Sequence, residues 1–399
     1  MYFSDRGPSL PGQPVMSQRE QTAALDVCVP VHNAADFLHE TLDSILSQDF
    51  TDFRLLLSVD ASDDNSLAIC HSYSRDSRVR VFEQKQRMGF VGNSNFLMQA
   101  AQAEFMKFAP HDDILAPGVL RRLYDFMCRE PDCSVAIPMI EGFGENPLDF
   151  TQHEVRGPPF RRLLDVIMNQ RPVAAFHGLV RISSRAGPRP MFPEGIPRDH
   201  EADVHWMAMT ASNGELRVVR DAVIKKRFQP DMKSITWRPK THAEAHRLLV
   251  LHTARLTEYT WPFCNTEAER RQLIMAAWSR LWGLGLNWGV MGSNRSGPWS
   301  RCTLTLRLLK SLRGPPGEFA RRQNFFRLTR QVSLDNGVVG ASSLARQAEQ
   351  EASQGRTAEA SRLFQQAVAR DPYAGWVEPF IYQYPGIDGG AGQHQPKVI

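Results

Sequence analysis

The sequence lacks the long apolar runs, paired metal-binding cysteines and strong net charge that mark several large classes of protein. No run approaches the roughly 20 apolar residues that a membrane-spanning helix needs. Six cysteines occur, but none forms a Cys-x-x-Cys pair and none lies at zinc spacing from a histidine run. The formal net charge is +4, which is too small to favour nucleic acid as a partner.

The first 22 residues also lack the apolar core of a secretion signal. Most cysteines stand in apolar surroundings, where a free thiol packs like a small hydrophobe. We therefore expect reduced thiols in a cytoplasmic protein that is soluble or peripheral to the inner face of the membrane. A chain of 399 residues with 42% hydrophobic residues allows two or three domains with a sizeable core.

Strand-like and helix-like patterns alternate from residue 25 to about residue 130, which predicts an α/β fold with a mostly parallel sheet. Apolar, β-branched runs predict strands at 25–31, 53–59, 79–82, 104–109 and 216–220. Three- and four-residue apolar spacing predicts helices at 34–48, 66–74, 93–103 and 116–129.

Composition divides the chain into five predicted segments. They are a flexible arm at 1–24, the α/β domain at 25–238, a helical and basic extension at 239–335, a helical hairpin at 336–375 and a disordered tail at 376–399.

Polar side chains follow three of the predicted strands, at the edge where ligands of open parallel sheets bind. They are Pro-Val-His-Asn at 30–33, Asp60, and His-Asp-Asp at 111–113. A carboxylate there can accept a hydrogen bond from a nucleobase, and adjacent carboxylates can hold a divalent cation that bridges a diphosphate. Each acid alone has a plainer interpretation, because Asp60, Asp112 and Asp113 all precede predicted helices and could be caps.

Segments 26–66 and 89–115, which contain these residues, resemble family 2 inverting glycosyltransferases, which have the GT-A fold. The first segment is similar to that family's opening strand, Pro-Val-Tyr-Asn turn, helix and Asp-Asp-Gly-Ser segment. The second is similar to its glycine-rich loop, helix and acidic metal motif. The resemblance implies a Mn²⁺ or Mg²⁺ cofactor and a nucleotide-diphosphate sugar as donor.

The resemblance also assigns roles to single residues. Pro30, Val31 and His32 would lie beside the nucleobase, and Asp60 would bind it. Arg87 and Gly89 match the loop that approaches the donor. Asp112 would be the metal ligand, with Asp113 supporting it.

Three positions depart from the family pattern. Val59 replaces the first of two consecutive carboxylates, so that only Asp60 remains. Ser94 replaces an arginine, which removes a cationic contact. Pro110 replaces the first acid of an Asp-x-Asp motif, which leaves Asp112 without its usual partner and puts tight metal binding in question.

An inverting transferase needs a general base that takes the proton of the acceptor hydroxyl. In the family this base begins a helix in the second half of the domain. Counting back from Gly214 places Asp203 at that position, with Glu201 as the alternative and Ala202 where the family usually has Glu. The competing interpretation is an acidic helix N-terminus that compensates the helix dipole.

Two other groups of residues have open interpretations. His177 and Arg181 resemble the family's acceptor-side strand. Lys226 and Arg227 could meet the diphosphate or be solvated cations.

The C-terminal half contains two further features. Residues 342–373 resemble one tetratricopeptide repeat, which would either pack on the preceding helices or bind a protein partner. Segment 295–330 contains nine basic residues and one acid, so it could contact an anionic membrane surface or form a solvated helix face.

These observations predict an enzyme that moves a sugar from a nucleotide-diphosphate donor to a hydroxyl acceptor on a glycan, a lipid-linked molecule or a protein. The reaction would be inverting and metal-assisted. One alternative is a sugar nucleotidyltransferase, although residues 30–33 lack the glycine-rich basic loop expected after its first strand. The other is an inactive relative that serves as a scaffold.

Overall fold

A computed structural model gives the fold. It describes residues 23–145, 147, 152–169, 173–182, 189–193, 202–229, 242–287 and 337–370. Residues 1–22 of the predicted arm, 239–241 and 288–335 of the basic extension and the whole predicted tail lie outside this description.

In the part of the chain that the structure describes, eight strands form one sheet in the order β3-β2-β1-β4-β7-β6-β8-β5. The strands are β1 Leu25–Val31, β2 Phe53–Asp60, β3 Val79–Gln84, β4 Phe105–Phe108, β5 Ile114–Leu115, β6 Cys133–Gly144, β7 Leu179–Arg181 and β8 Glu215–Phe228. β1 pairs in parallel with β2 and β4, β2 with β3, and β6 with β8. β7 is antiparallel to β4 and β6, and β5 is antiparallel to β8. The predicted α/β fold with a mostly parallel sheet is confirmed.

The described α-helices are α1 Leu38–Leu46, α2 Ser66–Ser72, α3 Gly89–Ala100, α4 Val119–Arg129, α5 Pro159–Asn169, α6 Ala202–Asn213, α7 His242–Thr260, α8 Glu267–Asn287, α9 Gly337–Ser353 and α10 Thr357–Arg370. Apolar faces explain the first of these: Leu38, Leu42 and Ile45 of α1 are fully buried. Short 3-10 turns cover Val173–His177 and Trp261–Phe263.

Helices α9 and α10 pack as a hairpin through small residues and Phe364, which is fully buried. α9 also contacts α8. The assignment of the α9–α10 hairpin as a tetratricopeptide repeat stays a prediction. Residues 371–375 of the predicted hairpin lie outside the described residues. Within the described ranges, no helix combines the length and apolarity that crossing a bilayer requires.

The prediction was wrong about several element boundaries. The last strand does not stop at Arg220 but continues to Phe228, because an irregularity opposite Pro138 and Met139 takes up residues 220–222 before pairing resumes at Val223. The helix predicted from 93 begins at Gly89, and the one predicted from 116 begins at Val119. Gly118 precedes the latter with φ 78°, a left-handed conformation that suits glycine at a helix start.

The five described cysteines are free, and all except Cys128 are buried. Burial raises the pKa of the Cys70 and Cys133 thiols to about 12, so these thiols are protonated packing groups at neutral pH.

Candidate functional site

The carboxyl ends of β1 and β2 are joined by side chains that the sequence analysis selected. Nδ1 of His32 lies 2.8 Å from the carbonyl oxygen of Asp60. Asn33 accepts the backbone N–H of Asp63 at 2.9 Å. Asn33 and Ala61 have φ values of 46° and 42°, a left-handed conformation that costs a residue with a side chain about 1 kcal/mol or more. The structure therefore holds strained backbone at this edge of the sheet.

Asp60 is 2% exposed and accepts two backbone N–H groups, from Met88 at 2.5 Å and from Gly89 at 2.9 Å. Gly89 has φ 72° and begins α3, so the Asp60 carboxylate holds the start of α3. The alternative interpretation, in which Asp60 caps the helix that follows it in the chain, is wrong about which helix is involved. Asp60 binds the start of α3, not the start of α2. The Nη1 atom of Arg87 lies 3.1 Å from Nδ1 of His32, so the structure brings Arg87, Gly89, His32 and Asp60 together.

The loop after β4 carries the predicted metal ligands. Nδ1 of His111 lies 3.1 Å from the carbonyl oxygen of Pro30, and Thr41 donates to the carbonyl of His111 at 2.9 Å. The acidic loop is thereby fixed against β1 and α1. Val31, the last residue of β1, is fully buried, so its side chain belongs to the core of the sheet.

The two acids of this loop have different environments. Asp112 is partly exposed, and Nε2 of Gln229 lies 3.4 Å from its Oδ2. Asp113 is 1% exposed, accepts the backbone N–H of Arg227 at 3.1 Å, and has Nδ1 of His177 3.2 Å from its Oδ2. Asp113 therefore fixes the loop to its neighbours, while Asp112 keeps a carboxylate that a ligand can reach.

The groups around Asp113 stabilise its ionised form despite its burial. Burial alone raises the pKa of this carboxyl, but His177, Lys226 and the Arg227 N–H together hold it below its usual range. Burial lowers the pKa of His177 despite the neighbouring Asp113. Lys107 is fully buried and donates to the carbonyls of His177 and Phe108, and burial lowers its pKa to about 7.

Arg227 is a neighbour of the acidic loop whose environment the sequence analysis did not identify. Its guanidinium lies 4.8 Å from the ring centre of Phe37 and 4.5 Å from that of Phe143, and it pairs with Glu40 of α1. Its Nε donates to the carbonyl of Asp112 at 3.2 Å. Arg227 is therefore not a solvated cation, because its contacts fix the backbone of Asp112.

Asp203 lies in the first turn of α6 and is half-buried. Its Oδ1 lies 3.0 Å from the backbone nitrogen of Val204. α6 is fixed by Trp206, which is fully buried, stacks on Phe192 and donates to the carbonyl of Pro190 at 2.9 Å. Glu201, the alternative base, lies outside the described residues.

α6 packs on the turn that contains His177, the residue facing Asp113. Through this turn the helix that carries the predicted base is connected to the acidic loop. Arg181 does not take part in this arrangement. Its guanidinium donates to the carbonyls of Met127 and Cys133 and pairs with Glu104, so the interpretation of Arg181 as an acceptor-side residue is wrong.

A cavity of about 370 Å³ lies at the opposite, amino end of β6 and β8. It is lined by Arg162 and Arg181, among others. Arg162 donates to the carbonyls of Gly157, Ala211 and Ser212. These arginines are occupied by the protein's own oxygens, so the cavity offers no evident cation to a ligand.

The residues of this site fit a divalent cation only when a diphosphate supplies some of its ligands. Within the described ranges, no group of three or more His, Cys, Asp or Glu side chains could hold a metal ion. A Mg²⁺ ion at a phosphate site, however, is usually bound by one or two carboxylates together with phosphate oxygens and water. Asp112 meets that requirement, so the residues fit a cation that binds together with a diphosphate.

Comparison with known proteins agrees with this geometry. Residues 26–183 match the family model "Glycosyl transferase family 2". The glycosyltransferase GlyG of Streptococcus pneumoniae is 30% identical over 127 residues, which are 32% of this chain and 42% of GlyG. A β-1,3-glucosyltransferase of Campylobacter jejuni, named for GalNAc(5)-diNAcBac-PP-undecaprenol, is 34% identical over 101 residues, which are 25% of this chain and 33% of that protein. The chain thus spans less than half the length of these relatives.

Among solved structures, residues 1–349 of Staphylococcus aureus TarS are similar with a TM-score of 0.52 and 15% identity, over 78% of this chain and 91% of that one. The same protein in complex with UDP-GlcNAc gives a TM-score of 0.53. At this identity the likeness shows the fold, and the chain has the GT-A fold that the resemblance implied. The predicted resemblance to family 2 is confirmed for residues 26–183.

Proposed function

We propose that this chain, with its glycosyl transferase family 2 segment at 26–183, is an inverting, metal-assisted glycosyltransferase. It would move a sugar from a nucleotide-diphosphate donor to a hydroxyl acceptor. The observation that carries the proposal is the convergence of His32, Asp60 and Asp112 at the carboxyl ends of three neighbouring parallel strands.

The nucleobase would lie against Pro30, Val31 and His32 and would donate an N–H to Asp60. The Asp60 carboxylate already accepts two backbone N–H groups, but two carboxylate oxygens offer about four acceptor positions. It can therefore accept from a base without releasing Gly89. The exposed guanidinium of Arg87 would reach the donor from the same loop.

Asp112 would hold Mn²⁺ or Mg²⁺, and Asp113 would keep the loop in position. The cation would supply positive charge to the leaving diphosphate. Asp203 would accept the proton of the attacking hydroxyl as the new bond to the anomeric carbon forms on the face opposite the leaving group. Glu201 is the alternative base.

TarS, a structural neighbour, was solved with UDP-GlcNAc and with UDP, so UDP-sugars are the first donors to test. The relatives named for an undecaprenol-linked glycan and for poly(ribitol-phosphate) make a lipid-linked or polymeric glycan the first acceptor to test. The proposal includes a cytoplasmic location with peripheral membrane contact through the basic segment, and a protein partner on the α9–α10 hairpin.

The test is donor hydrolysis and transfer by the purified chain. UDP-GlcNAc, UDP-glucose and GDP-mannose would be incubated with MnCl₂ or with excess EDTA, and the anomeric configuration of the product would be read by NMR. A parallel thermal-shift screen would use UDP, GDP, CDP and ADP. If no nucleoside diphosphate stabilises the protein and no donor is hydrolysed, the scaffold alternative replaces this proposal.

A further inference from the structure

Lys226 occupies a defined position at the end of β8, beside the acidic loop. β5 and β8 are antiparallel, with Ile114 opposite Lys225 and Leu115 opposite Ile224. Extending this register by one residue puts Lys226 opposite Asp113, on the same face of the sheet. Because side chains alternate along a strand, Lys225 points to the other face.

The positive charge of Lys226 acts on the buried Asp113 carboxylate. The half-buried Lys226 ammonium therefore lies beside the acidic loop that also carries Asp112.

Within the described ranges, Lys226 differs from its cationic neighbours because the donors of its ammonium are not used. Lys107 donates to two carbonyls, and Arg227 is held by Glu40 and by the carbonyl of Asp112. Lys226 is half-buried, and the part of the chain that the structure describes provides no hydrogen bond or ion-pair partner for its ammonium. A half-buried cation in this state is suited to an anion that arrives from solution.

We propose that Lys226 binds the diphosphate of the donor, beside the cation that Asp112 would hold. This inference rests on the proposed function and adds a second source of positive charge for the leaving group. Pro110 stands where the acidic motif has another carboxylate, so the cation would be held less tightly. Lys226 would then supply part of the positive charge that the diphosphate needs.

Lys226 keeps its proton throughout the proposed step. The bond between the anomeric carbon and the β-phosphate oxygen breaks, and its electron pair stays on that oxygen. The Lys226 ammonium donates a hydrogen bond to the phosphate. The acceptor oxygen forms the new bond, and its proton goes to Asp203.

The experiment compares a nucleoside with its diphosphate. Calorimetric affinities for uridine and UDP would be measured for wild type, Lys226→Ala, Lys226→Gln and Lys226→Arg, in MnCl₂ and in EDTA. GDP and guanosine would replace them if the thermal-shift screen selects GDP. Lys225→Ala is the matched control, because it removes the adjacent, exposed lysine on the opposite face.

We expect Lys226→Ala and Lys226→Gln to weaken UDP binding by about tenfold to a hundredfold, with the larger loss in EDTA. Uridine affinity stays unchanged, Lys226→Arg retains most of the UDP affinity, and Lys225→Ala changes neither. Equal loss of uridine and UDP would assign Lys226 a structural role and overturn the proposal, as would unchanged UDP binding. If wild type binds no nucleoside diphosphate, the proposed function fails together with this inference.

Discussion

The backbone N–H of Arg227 donates to Oδ1 of Asp113 at 3.1 Å, although 114 residues separate the two. This bond ties the acidic loop to the last strand and assigns the two adjacent acids different tasks. Asp113 has its oxygens in the protein, against Arg227 and His177. Asp112 stays partly exposed, so the two positions make separable predictions.

Asp112→Asn should lower Mn²⁺- or Mg²⁺-dependent turnover by roughly a hundredfold or more, because it removes the charge that holds the cation while keeping the size of the side chain. Initial rates against MnCl₂ concentration measure this. Asp113→Asn is the comparison, and it should lower the melting temperature because a buried, doubly contacted carboxylate is lost. Full wild-type activity in excess EDTA would contradict the metal assignment.

Asp60→Ala should weaken nucleotide binding by about 1–3 kcal/mol, since a buried acceptor is removed. It should also lower the free energy of unfolding by a similar amount, because the N–H groups of Met88 and Gly89 lose their acceptor. Calorimetry and urea denaturation measure the two effects. Exposed Asp63→Ala is the control for charge alone. Nucleotide affinity unchanged in Asp60→Ala would remove Asp60 from the binding site.

Asp203→Asn should lose at least about two orders of magnitude in turnover, the usual contribution of a general base, and should bind donor nucleotide normally. Asp221→Asn, at an exposed acid of β8, should leave turnover unchanged. Glu201→Gln should have much less effect, because Asp203 is the proposed base. Loss of folding together with activity in Asp203→Asn would identify the carboxylate as a helix cap.

Lys107 predicts a specific dependence of stability on pH. Its pKa is about 7 in the folded protein and 10.5 ordinarily, so between these values the unfolded state binds more protons. The free energy of unfolding contributed by Lys107 therefore rises with pH through this window, and below pH 7 the full burial penalty is present.

Urea denaturation at pH 7, 8 and 9 of wild type and Lys107→Met measures this contribution. The difference between the two curves isolates Lys107 from the cysteines, whose raised pKa values act in the opposite direction above pH 9. Parallel curves for the two proteins would show that Lys107 keeps its ordinary pKa.

The side of the candidate site that contains His32 and Asp60 could be predicted because its information is local. A buried strand followed by a polar turn fixes which residues stand at the strand's end, and the structure has His32 and Asp60 at the ends of β1 and β2. The structure adds that Asp60 holds α3, which a pattern cannot show because the contact spans 28 residues.

The environment of the acidic loop could not be predicted because it is built from distant strands. Arg220 and Asp221 are exposed charges that indicate a loop, yet the irregularity there lets β8 continue and deliver Lys226 and Arg227 to Asp113. His177 reaches the same place because β7 inserts antiparallel between β4 and β6. Pairing order between remote strands leaves no periodicity in the sequence.

The position of β5 at the end of the sheet, beside β8, has a consequence for how the protein is made. β1, β2 and β4 are synthesised before β8, because they precede it in the chain. The carboxylate of Asp113 therefore has its Arg227 N–H partner only once β8 has been made. The residues that would recognise the base are all synthesised before the residues of β8 that would receive the phosphates. A polypeptide ending at residue 183, where the family match ends, would have the first group of residues without the second.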